Sequence, residues 1–180
     1  MNTDLIQMLV NFSRNITQSG INLVMTLAVV MGIVSAIVYL LRFALPKSHR
    51  GAGSESSLGK MLLFLMLCGG LIALRQMMNA SAHQLGFGDV TFDAIAYVSS
   101  TKYGPAAEAI NAVLTLLRLL GVIFFYQGMR RMKRSLVDGH TGLTAGEDVS
   151  NGVIKLLIGT LLICNPYFLT ALQNTLTIVW

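Results

Sequence analysis

"NAVLTLLRLLGVIFFYQGMRRMKRS", residues 111–135, is the stretch on which the reading of this chain turns. It is an apolar run closed by Arg130, Arg131, Lys133 and Arg134, and it is interrupted once, by Arg118. An apolar helix of about 20 residues crosses the ~30 Å hydrocarbon layer of a bilayer, and clustered Lys and Arg mark a cytoplasmic helix end. The run therefore predicts a membrane span over about 106–129. An arginine at the bilayer centre costs at least ~2.5–3.5 kcal/mol, so Arg118 needs company. At helical spacing Asn111, Leu114, Thr115, Arg118, Gly121, Phe125 and Gly128 share one stripe, while Leu116, Leu119, Ile123 and Tyr126 share the opposite face. The bulky face is expected to meet lipid and the stripe to meet something else. Two readings of Arg118 follow. In one, backbone carbonyls and amide side chains of the bundle satisfy it. In the other it lines a lumen, or holds a lipid phosphate or a partner's carboxylate, which makes Arg118, Asn111 and Thr115 candidates for a lipid or polar intramembrane contact.

The rest of the chain fits a membrane protein. Of its 180 residues 54% are hydrophobic and only 12% charged, against roughly 25% charged in soluble domains. The net charge of +5 collects at the ends of apolar runs, so it argues for topology rather than for direct nucleic-acid binding. Cys68 and Cys164 lie in separate apolar segments without a metal or redox spacing, and read as small buried hydrophobes. Residues 1–20 read as an amphipathic helix with Leu5, Leu9, Phe12 and Ile16 on one face. A first span follows from about Ile21 to Leu41, with no charge between Arg14 and Arg42 and with Pro46 just beyond. It is too long and too far from the N-terminus for a cleavable signal peptide. Lys60 and Arg75 bracket a second, short span of fourteen uncharged residues. Residues 79–105 form a linker in which "TFDAIAYVSS", residues 91–100, is expected to make a short surface helix. A fourth span starts near Val153, with Asn165 and Pro166 as a kink in its path.

Charge sets the orientation. Arg42, Lys47, Arg50 and Lys60 face one acid in the first loop, and Arg130, Arg131, Lys133, Arg134 and Lys155 face three in the last. The 76–108 linker carries Asp89, Asp93 and Glu108 against Lys102. Both basic loops are placed in the cytoplasm, and both termini and the linker on the other side. The expected architecture is an all-α membrane protein with about four transmembrane helices. They form two helical hairpins, 21–78 and 106–180, joined by the 79–105 extracytoplasmic linker and preceded by the short amphipathic helix.

Small residues carry the packing signal: Gly32, the Gly69-Gly70 pair, Gly121 with Gly128, and Gly152 with Gly159. Such glycines let helices approach closely, within one subunit or between subunits. A shift of 89 residues superposes Ile21, Asn22, Val24, Thr26, Leu27, Gly32 and Arg42 on Ile110, Asn111, Val113, Thr115, Leu116, Gly121 and Arg131, the pattern of a duplicated hairpin. No catalytic motif is present. His49, His83 and His140 are isolated, and no metal-ligand or phosphate-loop spacing occurs. The chain is read as non-enzymatic, with no cofactor or metal, and with a bound phospholipid as its only expected small molecule. "RRMKRS" reads as a topology anchor that also suits anionic headgroups or an acidic partner.

"GMRRMKRS" followed by a polar loop and "SNGVIKLLIGTLLICNPYFLTALQNTL", with Gly159, Asn165, Leu172 and the Asn174-Thr175 pair, resembles a known family over residues 105–178. The likeness is to the TraQ-like conjugal-transfer proteins and the small Dot/Icm, type IVB secretion, inner-membrane proteins. The helix–basic loop–helix plan is also similar to that of type IV secretion pilins, although here there are two hairpins where one is usual. The resemblance implies a structural component of a bacterial inner-membrane conjugation or secretion apparatus. It would assemble with itself or with other components of the system into a channel or pilus, and be extracellular if in a pilus. The rival expectation is a stand-alone transporter with Arg118 as an anion site.

Overall fold

The computed structural model describes residues 2–44, 58–137 and 142–177. Pro46, Lys47 and Arg50 lie outside them. All regular structure among the described residues is helical. In chain order the helices are α1 (Asn2–Ala44), α2 (Leu58–Ile72), α3 (Leu74–Gln84), α4 (Ser100–Tyr103), α5 (Pro105–Val137), α6 (Gly142–Ile163) and α7 (Asn165–Leu176).

Among the described residues two helices are long and apolar enough to cross a membrane, Leu5–Arg42 and Pro105–Leu136. The other two expected spans are not straight helices. Leu58–Ile72 and Leu74–Gln84 meet at 98°, and Gly146–Ile163 and Asn165–Leu176 meet at 81°, so the count reaches four only if each bent pair is one span. The second bend has a local cause. Pro166 lacks an N–H and crowds the preceding turn, and the helix breaks just before it, at Cys164. The first bend, at Ala73, has no proline. Beyond it the sequence turns from apolar to amphipathic, and α3 folds over to bury Leu74, Met78 and Ala82 at i, i+4 and i+8.

Two further expectations are corrected. The N-terminal amphipathic segment is not a separate element, because α1 runs unbroken from Asn2 to Ala44. Neither Gly20 nor any other residue there stops it, and it packs against α5, with Gly20 against Leu119. "TFDAIAYVSS" is irregular up to Ser99 rather than helical.

One core joins the elements. Ile21, Val24 and Ala28 of α1 meet Leu71 of α2, Leu74, Met78 and Ala82 of α3, Val122, Phe125 and Met129 of α5, and Ile163 and Cys164 at the second bend. The halves repeat one contact. A methyl group on Gly32 would meet the Cys68 carbonyl and Ile72, and one on Gly121 would meet the Gly159 carbonyl and Ile163. Gly32 to Gly121 is 89 residues, whereas Cys68 to Gly159 and Ile72 to Ile163 are each 91. In both halves a long helix thus receives the bent helix after it at a glycine, and the bends at Ala73 and Cys164 fall at matching places.

Candidate functional site

The polar stripe of α5 binds a strand-like length of the linker. Asn111 Oδ1 accepts from the backbone N–H groups of Tyr97 (3.1 Å) and Val98 (2.9 Å), and its Nδ2 donates to the Val98 carbonyl at 2.9 Å. One turn on, Thr115 Oγ1 accepts from the Ile95 N–H at 3.1 Å and donates to the Asn111 carbonyl at 2.7 Å. Another turn on, Arg118 Nη1 donates to the Asp93 carbonyl at 2.6 Å. Helical steps of three and four thus match linker steps of two, so side chains replace the ladder that an irregular backbone lacks. Tyr97 Oη adds a bond to Gln173 Oε1 of α7 at 2.8 Å. Val90 N–H donates to Asn79 Oδ1 of α3 at 3.2 Å, and the Arg75 guanidinium lies over the Phe92 ring at 4.8 Å. The linker is pinned from three helices.

Arg118 is 5% exposed. Its Nε also reaches the Ile163 carbonyl at 3.4 Å. That carbonyl closes α6, where the helix dipole concentrates negative charge and favours a cation. Backbone carbonyls of its own chain hold Arg118, which is buried among the described residues. Asn165, at the start of α7, is 5% exposed and donates Nδ2 to the Leu114 carbonyl at 2.8 Å, while its Oδ1 has no partner among the described residues.

The expected lipid face of α5 is also corrected. Leu119 packs on Gly20 of α1, and Ile123 and Tyr126 pack against the core. With the linker and α6 on the other side, α5 is a central helix, and the exposed apolar surface among the described residues belongs mainly to α1, α2 and α6.

Most of the glycines serve contacts within the chain. A methyl on Gly121 would lie 2.8 Å from the Gly159 carbonyl oxygen, and one on Gly128 would lie 2.8 Å from that of Gly152. A methyl on Gly159 would lie 2.7 Å from the Phe125 nitrogen, one on Gly152 2.7 Å from Met132 Cγ, and one on Gly70 2.7 Å from Met129 Cε. Gly69 alone of the seven faces open space.

At the other end of α5 the basic cluster divides. Arg130, Lys133 and Arg134 line a cleft of about 380 Å³ with Arg42 of α1, and Arg131 is not among its lining residues. Lys133 is 8% exposed and donates to Ser35 Oγ at 2.6 Å. Sequence reasoning missed Arg42 and Ser35 as partners of this cluster. The i, i+3, i+4 spacing of Arg130, Lys133 and Arg134 was the available signal on α5, but nothing local marks α1 as its neighbour.

No family model matches this chain, and neither a curated protein nor a solved structure matches it.

Proposed function

We propose that this chain is a helical membrane protein whose work is structural and non-enzymatic, done in a larger assembly. The particular role we assign is a component of a bacterial conjugation or type IV secretion apparatus in the inner membrane. There it would pack with copies of itself or with other components into a channel- or pilus-like structure. The resemblance over residues 105–178 supports the role, and the shape of α1 supports the assembly.

The observation that carries the reading is the length of uncovered apolar surface on α1. Arg42, Lys60 and Arg130 to Arg134 mark one end of the spans, taken as cytoplasmic. The irregular segment 87–98 exposes Asp89 and Asp93, and such backbone is not tolerated against lipid. The hydrocarbon layer therefore ends near the level of Arg118. Counting back from Arg42, about 20 residues of α1 fill that layer at 1.5 Å per residue. The N-terminal turns project beyond it, with Leu5 70%, Met8 71%, Phe12 55% and Ile16 42% exposed. Among the described residues nothing covers this stripe, this placement puts it beyond the lipid, and large uncovered apolar patches mark protein contacts. The rival reading, a solitary transporter with Arg118 as its anion site, draws little support from a guanidinium that two backbone carbonyls of its own chain already hold.

The test is cysteine cross-linking in native membranes. Cys68 and Cys164 are 2% and 1% exposed, so single variants Met8→Cys and Phe12→Cys report on added thiols. Cross-links to a second copy or to a partner at both positions are expected. A chain that stays uncross-linked at both, with the thiols open to a soluble maleimide, overturns the assembly.

A further inference from the structure

From the cleft at the basic end of the bundle we infer a binding site for one anionic phospholipid, seated between α1, α2 and α5. The cleft has two halves. One presents four cations, Arg42 from α1 and Arg130, Lys133 and Arg134 from α5, and among the described residues no carboxylate lines it. The other is apolar: Val34 and Val38 of α1 stand opposite Phe64 of α2, whose ring stacks on Tyr39 at 4.3 Å. Lys133 is the sharpest element. Its ammonium group is drawn in to 8% exposure and donates to one neutral hydroxyl, Ser35 Oγ, at 2.6 Å. A cation taken out of water without a counter-charge is unfavourable, and the neighbouring Arg42 and Arg130 worsen it. An anion entering the cleft relieves both penalties, and a phosphate offers acceptors to several donors at once.

The apolar half selects among anions. A free phosphate or an acidic peptide would leave Val34, Val38 and Phe64 unmatched. A glycerophospholipid fits both halves, its phosphate among the cations and its chains along α1, where Val34 and Val38 are 50% and 42% exposed. The volume of about 380 Å³ is within the range of small-molecule sites, roughly 300–1,000 Å³. The cleft also lies at the basic end of Leu5–Arg42 and Pro105–Leu136, the two helices apolar enough to span a membrane, which is the level of the headgroups. The inference rests on that membrane placement and is independent of the assembly proposed above, since one copy of the chain supplies every lining residue.

The experiment is native mass spectrometry of the full chain in detergent, titrated with phosphatidylglycerol or with phosphatidylcholine of the same acyl chains. Soluble glycerol phosphate serves as a headgroup-only competitor. Phosphatidylglycerol is expected to bind about tenfold tighter than phosphatidylcholine, the difference that a few charge contacts give. The double variant Arg42→Gln/Arg130→Gln is expected to remove that preference. Arg131→Gln, which changes charge one residue outside the cleft, should leave it intact. Val34→Trp fills the apolar half without altering charge, and should weaken both lipids. Equal binding of the two lipids, or a preference unmoved by Arg42→Gln/Arg130→Gln, overturns the site. Displacement of the lipid by millimolar glycerol phosphate, with Val34→Trp silent, overturns the lipid in favour of a free phosphate. Lipid retention by the monomer is read separately from oligomeric state, so failure here and failure of the assembly are distinguishable.

Discussion

Two glycine substitutions of identical chemistry should act in opposite directions. Gly121 and Gly69 both lie inside helices, so changing either to alanine brings the same gain in helix propensity, about 1 kcal/mol. Their surroundings differ. The new methyl at Gly121 would stand 2.8 Å from both the Gly159 carbonyl oxygen and the Ile163 nitrogen. These are backbone atoms and no rotamer change moves them. To restore ordinary contact α5 and α6 would have to part by about half an ångström, which loosens the packing on either side of the contact. Overpacking of this kind costs about 1–3 kcal/mol. At Gly69 nothing lies within 4 Å of the added methyl. Because propensity cancels in the comparison, the difference between the variants is the overpacking cost alone. At about 2–4 °C per kcal/mol for a chain of this size, Gly121→Ala should melt roughly 2–12 °C below Gly69→Ala. The assay is thermal unfolding of both variants in one detergent, followed by helical circular dichroism. Gly69→Ala should equal or exceed the parent protein. Equal melting temperatures for the two variants would refute the close approach of α5 and α6 at Gly121.

Three further variants probe the α5 stripe. Asn111→Ala removes the acceptor of the Tyr97 and Val98 amides, so hydrogen exchange at those two amides should quicken at least about tenfold, each bond contributing about 1 kcal/mol. Unchanged exchange would show that something else holds the linker. Arg118→Leu strips the Asp93 and Ile163 carbonyls of their donor and should cost about 1–3 kcal/mol, with proteolysis appearing first within 87–98. A fully stable variant with a protected linker would show those bonds to be dispensable. Asn165→Leu removes a buried acceptor that has no partner together with one bond to Leu114, and should be neutral to within about 1 kcal/mol. A large loss in a melting experiment would mean that Oδ1 has a partner in solution.

Parts of this architecture were legible because they are local. The charge-free run from Ile21 to Leu41 and the run around Leu119 to Met129 are helical in period and are helices. Asn165-Pro166 announces the break at Cys164, since proline removes a donor in any context. The bend at Ala73 was not legible, because no residue there forbids a straight helix. What turns α3 is the distant surface against which Leu74, Met78 and Ala82 pack. "TFDAIAYVSS" failed for the same reason. Its composition allows a helix, but its hydrogen bonds go to Asn111, Thr115 and Arg118, 13 to 25 residues on. The polar stripe on α5 could be read from spacing alone, and its partner could not. Likewise the glycines declared close helix contacts without naming the helix, and the structure assigns most of them to contacts inside the chain.

That assignment leaves the exposed stripe from Leu5 to Ile16 as the surface on which the proposed assembly depends. The most direct measurement is cryo-EM of the protein extracted from its own membrane into lipid nanodiscs, with native mass spectrometry of the same sample. The account predicts a complex in which a second copy or a partner covers Leu5, Met8, Phe12 and Ile16. A monomer with those side chains bare would contradict it.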